Sequence, residues 1–277
     1  MGGAGGANAM IPIQYALRRR MMMAAMASID ISALSITYTG AYTDYGMVTM
    51  SDGARYRLLA FTSSGTLSIE QPVKCEVCVV GGGANGGKAV LSEGGAGGAG
   101  AYLKNQSVSA YNGGSVVVGA SQGVSSIADV SVNAVSGKNG GTGAGGWTAG
   151  TGDGISKYPF EDTGYSLWAG KPHCAGGGQG ATEVGSNGFN GGNGGTNGGN
   201  GYPASHTQTS SPSGGAGGSY GGGAGGGSRT VYGKNATYYG SGAGGGLFYN
   251  GDEFTFYDGG SGYQGIVYMR IPEEQAA

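Results

Sequence analysis

Apolar and polar positions alternate in short runs between residues 29 and 80, which is the pattern of half-buried β-strands. This alternation, together with the content of β-branched residues, predicts strands at 35–39, 47–50, 56–61, 66–69 and 73–80. Residues typical of turns separate several of these runs, at 43–46, 51–53 and 63–65. Short strands at this spacing predict a small antiparallel sheet or sandwich.

Further strand-like runs lie at 99–108, 114–118 and 128–135, and a last one lies near the end of the chain at 265–271. We predict that this last strand pairs with the early ones. Such pairing would close the base of the domain and hold both ends of the intervening chain.

Residues 10–27 predict a short α-helix, because Leu, Arg, Met and Ala are strong helix formers and Pro12 suits a first turn. A single helix of this length is marginal in water and needs a surface to pack on. One interpretation is an assembly anchor, and the alternative is a frayed tail. The anchor would use Ile13, Tyr15, Leu17, Arg18, Arg19, Arg20, Met22 and Met26.

Glycine dominates the composition, with 67 of 277 residues against a usual share of roughly 7%. Charged residues are scarce, at 11%, while 18 tyrosines are present. Ordinary disordered segments are charged and poor in aromatics, so this composition does not indicate one. Collagen is excluded because no strict Gly-X-Y register runs through the chain.

The glycine tracts, such as 190–201, 214–227 and 94–100, repeat with a period near three. Three residues per turn is the period of the polyproline II helix. Ordering this many glycines costs roughly 30–70 kcal/mol relative to alanine. Each net hydrogen bond returns only about 0.5–1.5 kcal/mol. We therefore expect either a lattice with nearly every backbone group paired or a flexible coil, and we favour the lattice.

The predicted fold class is mainly β, with a small antiparallel sheet or sandwich as base. A glycine-rich bundle of polyproline or polyglycine II helices and a short N-terminal α-helix complete it. Predicted boundaries are an N-terminal anchor at 1–28, a β-rich base at 29–136, a glycine-rich region with aromatic loops at 137–264, and a closing strand and tail at 265–277.

Net charge and hydropathy argue against a nucleic-acid partner and against a membrane span. The formal charge is −2, and the only basic cluster is Arg18 to Arg20, so no nucleic-acid partner is expected. No run of 18 apolar residues predicts a membrane span. The N-terminal segment places its arginines after apolar residues, the reverse of a secretory signal. We expect synthesis in the cytoplasm without a signal peptide.

Three motifs resemble chemical sites, and each has a simpler interpretation. Gly81 to Gly86 matches G-x-G-x-x-G, but the glycines that follow disfavour the helix that a dinucleotide site requires. Cys75 and Cys78 lie three apart in a strand, so they point to opposite faces and are interpreted as buried thiols. His173 and Cys174 lack further ligands or catalytic partners. We expect no enzyme activity, cofactor or metal.

Three segments interrupt the glycine tracts, at 155–173, 202–213 and 229–239. Tyrosine and tryptophan mixed with small polar residues are typical of binding loops, because their rings offer contact area at low entropic cost. The alternative is that these rings pack over the ends of the glycine bundle. The candidate receptor-binding residues are Tyr158, Phe160, Tyr165, Trp168, His173, Tyr202, His206, Tyr232, Tyr238 and Tyr239.

The order of framing elements resembles glycine-rich phage tail and fibre proteins, which carry an adhesin-like C-terminal domain. The matching features are Val-Val-Gly-Gly-Gly at 79–83, Gly-Gly-Ala-Gly-Gly-Ala-Gly followed by an aromatic at 94–102, a Val-rich strand at 115–119, and Gly-x-x-Gly-Ile-Val-x-x-Arg at 262–270. The resemblance covers about residues 55–272. It implies host-surface recognition on a virion, and related adhesin tips are polyglycine helix bundles.

Two departures from this family matter. Members often carry a long shaft or tail-attachment domain, whereas only about 30 residues precede the first strands here. The predicted helix would then serve as the attachment device to other virion proteins. The loops differ between members, so no binding residue carries over.

Three functions follow. The first is a non-catalytic tail-fibre or tail-tip adhesin, expected to be a homo-oligomer, that binds a bacterial surface glycan or protein. The second is a structural virion protein, such as a head fibre, decoration or shaft subunit, without a receptor role. The third is a bacterial surface protein, which the expected lack of a signal peptide disfavours.

Overall fold

The structure, a computed structural model, describes residues 29–89, 97–127, 132–134, 158–177, 182–183, 217, 220, 222–223, 232–246, 248–250 and 254–275. Within these residues it is mainly β, and its only helical element is a 3-10 turn at Pro159–Glu161. The strands are β1 (Ile36–Tyr38), β2 (Tyr42–Thr49), β3 (Arg55–Phe61), β4 (Gly65–Val80), β5 (Leu103–Val117), β6 (Ser125–Ile127), β7 (Val132–Ala134), β8 (Thr182–Glu183), β9 (Phe248–Asn250), β10 (Phe254–Phe256) and β11 (Ile266–Pro272). The predicted N-terminal helix lies outside the described residues.

The main sheet is antiparallel and has the order β2-β3-β11-β4-β5-β6-β7, with β1 paired to β4. The last strand lies between two early ones, because Val267 is in register with Phe61 of β3 and with Val79 of β4. The pairing predicted for the last strand is therefore present. A smaller sheet has the order β10-β9-β8, with β8 and β9 parallel.

Three predicted interruptions lie inside strands. Residues 43–46 were expected to form a turn, but they belong to β2, where the register shifts between Asp44 and Met47. Gly46 adopts a φ of 66° there, and a glycine in this conformation is typical of a β-bulge. The predicted strands at 66–69 and 73–80 form one strand, β4, with a register shift between Ser68 and Val73. The runs predicted at 99–108 and 114–118 likewise join as β5.

Both faces of the sheet are covered, so it contributes to two hydrophobic clusters. Leu59, Val77 and Met269 belong to the first cluster, which includes Ile31 and Leu34. Side chains from alternate positions of the same strands form the second cluster with Trp168: Leu58, Ala60, Cys78, Val80, Ile266 and Tyr268. Cys75 belongs to the first cluster and Cys78 to the second, as their spacing predicts.

The glycine-rich segments pair with one another through backbone hydrogen bonds at every third residue. Gly83, Gly86 and Ala89 donate to the carbonyls of Tyr263, Gly260 and Tyr257, in that order. The same spacing joins other segments: Gly98 and Ala101 to Ala243 and Gly240, and Ala243 and Gly246 to Ala84 and Gly87. Residues 190–201 lie outside the described part.

Residues 240–246 occupy the centre of this glycine layer and are all buried. They exchange backbone hydrogen bonds with six other segments: 81–89, 97–101, 174–177, 222–223, 232–236 and 257–265. Neighbouring backbones lie so close together at several of these glycines that no side chain fits between them. A Cβ added to Gly242 would lie 2.0 Å from the carbonyl oxygen of Gly98, and one added to Gly177 would lie 1.8 Å from that of Ala243. Ala84 and Ala243 are also fully buried in this layer.

Candidate functional site

Six of the predicted binding residues come together in one aromatic cluster. The chain of ring contacts runs from Trp168 to Tyr268 (centroids 5.4 Å apart), from Tyr268 to His173 (5.6 Å) and from His173 to Tyr238 (4.9 Å). We define the aromatic cluster as Phe160, Tyr165, Trp168, His173, Tyr220, Tyr238, Tyr239, Tyr263 and Tyr268. The structure thus joins the predicted loops 155–173 and 229–239.

The centre of the cluster is closed to solvent. Trp168 and His173 are both 0% exposed, and Tyr268 is 3% exposed. The Trp168 indole N–H donates to the carbonyl of Asp162, and His173 Nε2 lies 3.1 Å from the Tyr268 hydroxyl. Trp168 and His173 were predicted as receptor contacts, and their burial corrects that interpretation in favour of packing. The same ring types suit either role, and here they fill the space between the sheet and the glycine layer.

The edge of the cluster reaches solvent. Tyr220 is 44% exposed and packs edge-on against Tyr238 at 4.8 Å. Tyr263 is 36% exposed and packs against Tyr239 at 5.6 Å. Tyr238 and Tyr239 are half-buried. We call Tyr220, Tyr238, Tyr239 and Tyr263 the tyrosine rim, because they form the edge of the cluster that reaches solvent. The buried ring of His173 packs against Tyr238 and Tyr239.

Asp162 fixes the loop that carries Trp168. Its carboxylate accepts hydrogen bonds from the backbone N–H and hydroxyl of Ser51, and from the N–H groups of Gly164 and Tyr165. Burial alone would raise the pKa of Asp162. The hydrogen bonds from Ser51, Gly164 and Tyr165 outweigh it and hold that pKa below its usual value. The carboxylate therefore ties this loop to the turn between β2 and β3.

Burial keeps His173 and Tyr238 of the cluster uncharged over a wide pH range. Burial lowers the pKa of His173 to about 3, and no hydrogen-bond partner within the described residues reaches its Nδ1. Burial, with smaller effects of Tyr220, Tyr239 and Tyr45, raises the pKa of Tyr238 to about 12. Such a site offers ring faces and hydroxyl groups rather than a proton donor or acceptor of intermediate pKa.

The remaining predicted residues lie elsewhere. Tyr232 is 61% exposed and packs against Tyr257 at 5.4 Å. Tyr158 is half-buried and lines a cavity beside β5. Tyr202 and His206, and the anchor residues before position 28, lie outside the described part of the chain.

Sequence reasoning did not identify three members of the cluster: Tyr220, Tyr263 and Tyr268. Tyr268 lies two residues from Ile266 and from Arg270 in β11, so the period of two places all three on the face toward Trp168. Tyr220 and Tyr263 are isolated tyrosines within glycine tracts. Tyr220 lies two residues before the paired segment 222–223, and Tyr263 lies within the paired segment 257–265. Their position beside or within such segments was the feature that could have identified them.

Comparison of the chain with protein-family models, with curated proteins and with solved structures finds no match. Across the residues the structure describes, none of the helical segments is long and apolar enough to cross a membrane. In the same residues, His, Cys, Asp and Glu form no group of three or more that could hold a metal ion.

Proposed function

We propose that this chain is a bacteriophage virion protein, an adhesin of the tail fibre or tail tip that binds a bacterial surface glycan or protein without catalysis. The observation that carries the proposal is the tyrosine rim, which combines exposed rings with a buried aromatic foundation. Tyrosines at the centre of interfaces often dominate binding energy. Rings held in place before binding lose little entropy when a receptor contacts them.

The glycine layer supports this proposal because it fixes the chain on which the rings are carried. Tyr238 and Tyr239 directly precede the buried segment 240–246. We propose that the layer is a bundle of polyglycine II-type helices. The period-three hydrogen bonds and the six neighbours of segment 240–246 support this conformation.

The rest of the proposal concerns assembly. Residues 1–28 would form the helix that attaches the chain to other virion proteins. The protein would act as a homo-oligomer on the virion, after synthesis in the host cytoplasm without a signal peptide. The sequence pattern of residues 10–27 and the resemblance to phage fibre proteins support these points.

Adsorption of phage particles to host cells tests the receptor role. The double substitution Tyr220→Ala with Tyr263→Ala should slow adsorption about tenfold or more, given the usual weight of interface tyrosines. Tyr42→Ala is the matched control, since Tyr42 is 36% exposed and stacks on Phe61 of the other hydrophobic cluster. Normal adsorption by the rim variant, with normal incorporation into particles, would refute the proposal.

A structural virion role is the second candidate, and the burial of Trp168 and His173 favours it. Two of the rings that suggested binding stabilise the fold instead. Quantitative mass spectrometry of purified particles separates the two functions. Many tens of copies per particle indicate a shaft, decoration or head-fibre subunit, and a few copies indicate an adhesin.

A further inference from the structure

A groove with both apolar and polar walls lies between β5 and the loop that precedes Trp168. It consists of two adjoining cavities of about 400 Å³ and about 180 Å³, and both are lined by Asn105 and Glu161. Pockets for small ligands usually enclose about 300–1,000 Å³. The larger cavity is also lined by Leu103, Tyr158 and Thr163, and the smaller by Glu76, Gln106, Ser107, Phe160 and Arg270. We call the two cavities together the β5 groove.

The floor of the β5 groove is rigid. Arg270 lies between two rings, with its guanidinium carbon 4.4 Å from the centroid of Tyr56 and 4.4 Å from that of Phe160. Its Nε and one terminal nitrogen also bond the same Glu76 oxygen, at 2.7 Å and 2.6 Å. Arg270, Glu76 and Ser107 form one row across β11, β4 and β5, because Glu76 is in register with both neighbours. The floor is therefore formed before any ligand binds.

The wall of the groove has an unusual backbone. Phe160 and Glu161 are consecutive non-glycine residues with φ of 55° and 60°. Bulky residues rarely adopt this left-handed conformation, and it persists only where surrounding contacts enforce it. The Phe160 N–H donates to Asn105 Oδ1 at 3.1 Å, which holds the turn over β5. Such strained turns concentrate at sites of function, and this one directs Phe160 over Arg270.

The chemistry of the groove selects a neutral ligand rich in hydroxyl groups. Tyr158 and Leu103 provide an apolar wall, while Asn105, Ser107 and Thr163 provide neutral hydrogen-bonding groups. The groove contains two carboxylates, those of Glu76 and Glu161, and one guanidinium, that of Arg270, which pairs with Glu76. Glu161 is exposed and has no ion pair in the described part of the chain. An anionic ligand would meet this excess negative charge.

We infer that the β5 groove binds a neutral saccharide unit of the bacterial surface. The inference rests on the proposed function for its biological setting, and of the two receptor classes proposed there it names the glycan. The aromatic and aliphatic wall would contact the face of a sugar ring. The carboxylate of Glu161 would accept hydrogen bonds from sugar hydroxyls, and the neutral side chains of β5 would orient the ring.

The test uses the labelled full-length chain on an array of neutral hexose and N-acetylhexosamine oligosaccharides, with uronic and sialic acid oligosaccharides beside them. Binding to neutral saccharides, with dissociation constants of roughly 1 mM or tighter after titration in solution, is expected. Tyr158→Ala, and separately Ser107→Tyr, which fills the smaller cavity, should weaken that binding about tenfold. Near-ultraviolet circular dichroism confirms that each variant is folded, and Tyr42→Ala is the matched control.

Three outcomes would overturn the groove assignment. They are binding confined to acidic saccharides, no saccharide binding at all, and neutral-saccharide binding that folded groove variants retain. The third outcome leaves the proposed receptor role standing if Tyr220→Ala with Tyr263→Ala abolishes the binding instead. Failure of the receptor role is recognised separately, by normal adsorption of phage that carry the rim substitutions and incorporate the protein normally.

Discussion

Adding one methyl group at Gly242 tests whether the glycine layer depends on direct backbone contact. A Cβ at this position would lie 2.0 Å from the Gly98 oxygen and 2.6 Å from the Ala99 oxygen. Segments 97–101 and 240–246 would have to separate by about 1 Å or more to restore ordinary van der Waals distances. Ala243→Gly is the matched control, because it removes a methyl group from the next residue and leaves every backbone hydrogen bond possible.

The expected loss follows from the hydrogen bonds that such a separation would break. Two backbone hydrogen bonds join these segments: Gly98 donates to Ala243 at 2.8 Å, and Ala101 donates to Gly240 at 2.7 Å. Leaving buried backbone groups unpaired costs about 1–3 kcal/mol each. We therefore expect Gly242→Ala to lower the free energy of unfolding by about 4 kcal/mol. Ala243→Gly should cost about 1 kcal/mol.

Guanidinium unfolding followed by tryptophan fluorescence provides the measurement. The chain has two tryptophans, so Trp147→Phe is introduced in every variant to leave Trp168 as the reporter. Trp168 is 0% exposed, and its emission should shift when the aromatic cluster opens. If Gly242→Ala proved no more destabilising than Ala243→Gly, with equal slopes against denaturant, the close-packed interpretation of the glycine layer would be refuted.

Three further predictions concern the buried polar groups and thiols. Asp162→Ala should lower the free energy of unfolding by about 3 kcal/mol, since hydrogen bonds to a charged group contribute about 1.5–3 kcal/mol each. Asp52→Ala, which removes one exposed acceptor of the same turn, should cost far less, and equal losses would refute the anchoring role. The pKa of His173 is about 3 in the folded protein, below the ~6.5 of an unfolded chain, so the unfolded state binds the extra proton. Stability should therefore fall as pH decreases from about 6.5, by up to about 1.4 kcal/mol per pH unit. In a urea titration His173→Gln should flatten this slope and His206→Gln should retain it, and an unchanged slope in the first variant would contradict the assignment. Burial raises the pKa of Cys75 and Cys78 to about 12, so a water-soluble maleimide should label them only after denaturation, and rapid labelling of the native protein at pH 7 would show that they are accessible.

The sequence predicted the sheet well because alternation reports directly on burial. The runs predicted at 56–61 and 265–271 correspond to β3 and β11. Leu59 and Met269 of these strands belong to the first cluster, and Leu58 and Tyr268 belong to the second. It predicted interruptions less well. Gly46 was interpreted as part of a turn, but a glycine with positive φ serves a bulge equally, and only the partner strand distinguishes the two.

The candidate site was predicted only in part, because ring type does not determine exposure. Trp168 and Tyr232 both lie in aromatic interruptions of glycine tracts, yet one is 0% exposed and the other 61%. Trp168 packs on Tyr268 of β11, and Asp162 ties its loop to Ser51, whereas Tyr232 contacts Tyr257. These partners are distant in sequence, so the sequence pattern alone does not show them. The β5 groove was not predicted, since its members come from strands and a loop that are distant in sequence.

The period-three pairing also explains why aromatic rings occur at both ends of the glycine segments. Gly83 pairs with Tyr263 and Ala89 with Tyr257, so segments 81–89 and 257–265 run side by side in opposite directions. The end with Tyr263 adjoins β11 and the aromatic cluster, and the other end carries the pair Tyr232 and Tyr257. Between these two rings, a Cβ at Gly259, Gly260 or Gly262 would lie 2.4, 2.4 or 2.2 Å from the carbonyl oxygen of Gly86, Lys234 or Gly83, in that order. Rings therefore fit near the ends of these segments and are excluded at the glycines between them, which suits the receptor role proposed above.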